Sequence, residues 1–190
     1  RAFSEQFGRP PEQVRAQGLG GVALVEAIKL HDDALPCAHP PRIVSADTLL
    51  VAGIGARHHG DSVASIPSQW QRLAQQCPTA PEVSYGVCCN SDEDGSFDYI
   101  AGIGVAGFAA LPDGWQTVRI PAHRYVVAWH AGHISAIRST WYWLLNHYLP
   151  ASGLSLADAP ELERYDARFD AHSGHGGVEI WLPLTDTNPT

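Results

Sequence analysis

The chain has 190 residues, with 20 Asp and Glu against 12 Lys and Arg, ten His, four Cys and no Met, for a formal net charge of −8. This length suits one ordinary domain or a small duplicated one, and 45% apolar content excludes a disordered chain. No apolar run approaches the roughly 18 residues of a membrane-spanning helix, and the acidic balance argues against broad nucleic-acid binding, which needs cationic groups to neutralise phosphates. It leaves room for a cationic ligand.

The sequence opens at Arg1 with neither an initiator Met nor the apolar core of a secretion signal, so a piece of a longer, soluble, cytoplasmic protein is expected. Cys37, Cys77, Cys88 and Cys89 do not make a disulfide framework, because a bridge between the neighbours Cys88 and Cys89 would be strained. Reduced thiols are the expectation. No Cys-x-x-Cys pair offers thiolates to zinc, and His58-His59 and His172-x-x-His175 lack helical ligand spacing. These histidines read as exposed loop residues, with no metal or cofactor expected.

In chain order, the stretch Arg1 to Arg15 is short, charged and helix-like, and breaks at Pro10-Pro11. Gly18 to Gly21 is a loop; Val22, Leu24, Val25 and Ile28 then suit one amphipathic helix, ended by the Pro36 to Pro41 region. From Arg42 the texture changes to strands. A repeat of about 75–80 residues follows. Its first copy has a strand Thr48–Ile54, a turn at Gly60, a helix Ile66–Leu73, and strands Val83–Cys89 and Phe97–Ile103. Its second has a strand Tyr125–His130, a turn at Gly132, a helix Ile137–Leu144, and strands Leu162–Tyr165 and Val178–Leu182. Ile66, Ser68, Trp70 and Leu73 map onto Ile137, Ser139, Trp141 and Leu144 at one constant offset. The pattern predicts an α+β fold: a duplicated β-α-β-β unit with pseudo-two-fold symmetry, with antiparallel sheets carrying helices on one side and a ligand cleft on the other. The repeats fall at about 42–109 and 115–185 of a domain spanning 42–190, after a terminal piece 1–17 and a helix and linker 18–41. The acidic run Asp92-Glu93-Asp94-Gly95 suits a solvated hairpin turn better than a calcium loop.

Strand alternation sorts the side chains by face. Val178, Ile180 and Leu182 should meet the helices, leaving Glu179 beside Trp181 on the opposite face. Glu163 shares a face with Glu161 and Tyr165, and Trp129 with Tyr125 and Val127; Tyr99 takes the place in the first copy that Glu179 holds in the second. If the helix-free faces enclose a cleft, it is lined by Tyr, Trp and Glu, which suits flat apolar cations. Trp70 and Trp141, at helical spacing with Ile66, Leu73, Ile137 and Leu144, read as core, and Trp143 as surface or interface. No Gly-x-Ser-x-Gly elbow or phosphate loop is present. Gly102-Ile103-Gly104-Val105-Ala106-Gly107 imitates a dinucleotide fingerprint but leads into Pro112-Asp113-Gly114, not a helix.

The ordered series Ile66-Pro67-x-x-Trp70, Tyr85-Gly86-Val87, Phe97-Asp98-Tyr99-Ile100-Ala101-Gly102, Leu111-Pro112-x-Gly114-Trp115 and Ile120-Pro121-Ala122-x-x-Tyr125 resembles the gyrase-inhibitor-like (GyrI-like) effector-binding domain. Glu161-Leu162-Glu163-Arg164-Tyr165 and Val178-Glu179-Ile180-Trp181-Leu182-Pro183-Leu184 continue the resemblance, which covers roughly residues 42–185. At the other end, Phe3-x-x-x-Phe7-Gly8-x-x-Pro11-x-x-x-Arg15 resembles the closing signature of the AraC/XylS helix-turn-helix domain. Together they imply the sensing half of an AraC-type transcription regulator. DNA would then be bound only through the missing helix-turn-helix, with no membrane partner; the assembly allows a homodimer. The resemblance further implies a ligand between the two repeats and a pocket Glu facing hydrophobic, cationic compounds. Glu163 carries over from the Glu-x-Tyr motif; Glu179 is added from strand geometry, with Tyr85, Tyr99, Tyr125, Trp129 and Trp181 as aromatic lining.

No catalytic residue is assigned on the sensor reading. An alternative is a hydrolase of strained, cyclopropane-bearing compounds, with Glu163 as general base. A third is a protein-interaction module, which the dispersed negative charge supports poorly.

Overall fold

The computed structural model describes Cys37 and residues 39–59, 63–77 and 79–185. The expected helix-turn-helix remnant at 1–17 and the helix near Val22 lie outside the described residues. Eight strands form one continuous antiparallel sheet: β1 (Arg42–Ala46), β2 (Leu49–His59), β3 (Ser84–Cys89), β4 (Ser96–Gly104), β5 (Gln116–Ile120), β6 (His123–His130), β7 (Glu161–Tyr165) and β8 (Val178–Pro183). Their order is β1-β6-β8-β7-β3-β4-β2-β5. Helix α1 (Ile66–Gln76) follows β2. Helix α2 (Ile137–Trp143) follows β6 and runs through a wider π turn (Leu144–Tyr148) into the short α3 (Leu149–Ser152).

Both helices carry one apolar stripe. Gln69 and Leu73 are buried in α1 between half-buried Ile66 and Trp70, while Thr140 and Leu144 are buried beside half-buried Ile137 and Trp141. That three-and-four spacing is the inner stripe of a surface helix. Pro67 starts α1, where its missing N–H costs no hydrogen bond, and Gly153, at φ +68°, ends α3 in the left-handed region. The polar member of each stripe ties its helix to the sheet. Gln69 donates from Nε2 to the carbonyls of Ile54 and Tyr99, each at 2.9 Å, and its Oε1 meets His58 Nε2 at 2.6 Å. Thr140 meets His130 Nδ1 at 2.8 Å. Beneath the helices, Ile54 and Ala101 pack on Leu73, and Val126, Ala128, Ile180 and Leu182 on Leu144.

The order of elements recurs over longer stretches than the expected repeat. Each stretch reads strand, strand, helix, strand, strand, and each leading strand leaves its own stretch to pair with the other: β1 on β6 and β5 on β2. β5 is easily missed, because only Val118 and Ile120 among its five residues turn inward. β2 is also longer than expected, reaching His59, so His58 is a buried strand residue bonded to Gln69 and not a loop histidine. Trp143 packs against the cluster under α2, contrary to a surface placement. The Asp92–Gly95 segment is the β3–β4 hairpin turn, with Gly95 at φ +81°.

Asp47-Thr48 and Pro121-Ala122, the two-residue links before β2 and β6, join strands six places apart in the sheet order. Such a link spans at most about 11 Å. The sheet therefore curls until its edges nearly meet, with the helix-free face inside. Val51, Val87, Ile100, Ile120, Val127 and Leu162 form one buried cluster there. Close strand approach depends on glycine at Gly53, where a Cβ would fall 2.1 Å from the Ala101 carbonyl oxygen.

Candidate functional site

The expected site divides between the two faces of the sheet. Glu163 pairs in register with Gly86 on β3 and Ile180 on β8, which sets it on the helix face with Tyr165. Tyr99, opposite Cys88, lies on that face too. Glu179 pairs with Trp129 and Arg164, and with Tyr85, Tyr125 and Trp181 it belongs to the curled inner face. The single cleft expected to hold all seven residues is thus corrected. Sheet curvature turns the inner face into core, and one-residue alternation carries Glu163 and Tyr99 to the other side.

On the helix face Glu163 is only 7% exposed, between Tyr99 at 2% and Tyr165 at 8%. Both tyrosines donate their hydroxyls to Glu163 Oε2 at 2.8 Å, and Trp141 donates from Nε1 to Oε1 at 3.1 Å. Trp70 donates from Nε1 to the Tyr99 hydroxyl at 3.1 Å and sets its ring against Tyr165 at 4.8 Å. Gly86 makes the room: a Cβ there would lie 2.2 Å from Tyr99 Oη and 2.7 Å from Glu163 Oε2. Every hydrogen bond to this carboxylate comes from a neutral donor, and no ion pair among the described residues includes it. Burial pushes its pKa up against the opposing pull of those donors, and the Tyr99 and Tyr165 hydroxyls are held well above their ordinary range by burial and by Glu163.

On the inner face Glu179 is equally buried but paired. Arg42 donates at 2.8 Å, Arg164 at 3.3 Å and Trp181 Nε1 at 3.1 Å, while Arg168 approaches to 3.7 Å. Burial pulls its pKa up, but these partners outweigh burial and hold it below the ordinary value. Arg168 stacks over Trp129 at 4.1 Å and ties down Asp166, whose pKa lies far below the carboxylate range. Two cavities open on this face. One, of about 270 Å³, is lined by Tyr85, Tyr125, Leu162 and Trp181; the other, of about 340 Å³, by Arg42, Trp129, Arg168 and Glu179.

Sequence reasoning missed Trp70 and Trp141 as site residues. Each is half-buried and aims its indole N–H at the central cage while its ring packs on apolar neighbours. The constant offset between the two helices was the available signal, since it puts matched tryptophans over the junction of the two repeats. No group of three or more His, Cys, Asp or Glu among the described residues is arranged to hold a metal ion, and no described helix is long and apolar enough to cross a membrane.

The described residues thus form an α+β domain whose curled sheet carries helices on one face, with a buried carboxylate beneath them that joins no ion pair. The model of the GyrI-like small molecule binding domain matches residues 39–185, and the chain belongs to that family. It is 31% identical over 105 residues to the transcriptional regulator BrlR of Pseudomonas aeruginosa, a match covering 55% of this chain and 38% of BrlR. The chain thus spans well under half of that relative. Among solved structures, SAV2435 bound to tetraphenylphosphonium has a TM-score of 0.62 at 19% identity, covering 78% of this chain and 95% of that one. EcmrR in its DNA complex has a TM-score of 0.55 at 16% identity, covering 76% and 57%. At these identities the two likenesses show the fold.

Proposed function

We propose that this domain senses a hydrophobic organic cation, bound against Glu163 between α1 and α2. The observation that carries the reading is a buried carboxylate held by three neutral donors and, among the described residues, in no ion pair. Ionised, it keeps a desolvation cost that its three donors offset only in part and that a positive partner would offset further, and indole and phenol rings around it attract such charge. Trp141 bonds this acid and Trp70 bonds its partner Tyr99, both from half-buried helix positions, so on this reading a ligand reaches the acid by displacing those N–H bonds and moving α1 or α2. The link to tetraphenylphosphonium in a structural neighbour supports this chemistry, and the regulator BrlR supports a sensing role. The rest of the reading is an AraC-type regulator in the cytoplasm, with the DNA-binding part preceding this domain and the ligand signal passing through it.

Titration with tetraphenylphosphonium at neutral pH tests the reading through quenching of Trp fluorescence. Saturable binding is expected, weakened about 30-fold or more in Glu163→Gln, as for a buried counter-charge. Equal affinity in the two proteins overturns it. Turnover of a cyclopropane-bearing ester, lost in Glu163→Gln, would instead make Glu163 a general base and the domain a hydrolase.

A further inference from the structure

We propose that Glu161 is a second charge-reading residue beside Glu163, and that the two together select a rigid organic dication. This rests on the Glu163 reading and adds a requirement to it. Strand order places the two acids. α1 packs on β2 and β4, and the core beneath α2 comes from β6 and β8, so β7 and β3 lie between the two helices. The helix-facing residues of that central pair are Gly86 and Cys88 on β3, with Glu161, Glu163 and Tyr165 on β7. Glu161 pairs in register with Cys88 and Glu163 with Gly86, an unbroken two-residue step. Both acids therefore rise from one face, about 6–7 Å apart along the strand.

Their surroundings differ. Glu163 is buried and holds three neutral donors. Glu161 is only half-buried, and its carboxylate has neither a hydrogen bond nor an ion pair among the described residues. Burial pushes its pKa up, and no basic group offsets that push. The Cys88 thiol is raised by burial and then by the charges of Glu163 and Glu161, which sets both acids around one residue. Solvent reaches Glu161, so a ligand reaches it without the helix displacement that Glu163 demands. A monocation seated on Glu163 leaves this partly desolvated charge unmatched. A rigid dication whose charges stand one such step apart meets both.

Calorimetric titration compares methyl viologen, a rigid dication with a positive nitrogen in each ring, with 1-methyl-4-(4-methylphenyl)pyridinium, which has the same outline and one charge. The wild type should bind the dication about ten-fold more tightly, the value of one counter-charge in a half-exposed setting. Glu161→Gln should keep the monocation affinity, which also shows that it folds, and lose the preference. Glu163→Gln should weaken both compounds. Glu93→Gln removes a charge from the exposed β3–β4 turn and should leave the preference intact. Equal binding of the two compounds by the wild type, with the monocation weakened in Glu163→Gln, overturns the role of Glu161 and leaves the Glu163 reading standing. A preference that survives in Glu161→Gln, or fades equally in Glu93→Gln, overturns it as well, as does loss of the monocation in Glu161→Gln. Monocation binding that is indifferent to Glu163→Gln overturns both readings. No saturable binding of either compound overturns the dication site, whatever tetraphenylphosphonium does.

Discussion

Glu163 and Glu179 stand on neighbouring strands, equally buried, and burial pushes both their pKa values upward; they end on opposite sides of the ordinary value. The difference lies in their company. Glu179 has three arginines and an indole N–H within reach. Glu163 has two phenols and one indole, which solvate its charge without cancelling it. Burial alone therefore does not fix which way a carboxylate's pKa moves; the presence or absence of a close counter-ion does.

Substitution can break this contrast, and the largest effect should be the loss of tetraphenylphosphonium affinity in Glu163→Gln, beside little change in Glu179→Gln. Next comes Gly86→Ala, whose methyl would collide with the Tyr99 hydroxyl and the Glu163 carboxylate. Overpacking there should cost about 1–3 kcal/mol in urea unfolding and disorder the cage. A smaller change is expected in Glu179→Gln, destabilised by about 1–2 kcal/mol at neutral pH because two of its arginine partners are half-exposed.

The same pair predicts opposite pH behaviour. Glu163, with its raised folded pKa, contributes stability that is fully present below its unfolded value and lost as pH rises through the folded one. Melting temperatures of Glu163→Gln should accordingly gain on the wild type as pH climbs, while cation binding to the wild type tightens over the same range. The contribution of Glu179 is present above its unfolded value and fades as pH falls through the lowered one, so Glu179→Gln should approach the wild type in acid. The mildest expected effect is in Trp141→Phe. One donor to Glu163 is lost, for about 1 kcal/mol, and a few-fold change in cation affinity should follow.

Much of this was legible in the sequence. Matched helices at Ile66 and Ile137, and the alternation of Val178, Ile180 and Leu182 against Glu179 and Trp181, gave elements and faces correctly. What alternation could not give was the relation between strands distant in sequence. Glu163 and Glu179 each lie on a definite face of their own strand, but only the β7–β8 register says that the faces are opposite. The leading strands escaped for a similar reason, since half of β5 is ordinary polar surface. Trp70 and Trp141 were visible as a pattern, but nothing in helical spacing distinguishes a core indole from one whose N–H reaches a buried acid.

The exchange of β1 and β5 has a consequence for how the chain reaches this state. Arg42 must meet Val127, and Leu49 must meet Ile120, before either half has its outer strand. These are long loop closures, rewarded only late, so folding should be slow and should engage both repeats at once. A protein nicked in the loop Leu111–Gly114 would yield two pieces that each lack an edge the other carries, and they should regain structure by mixing and not singly.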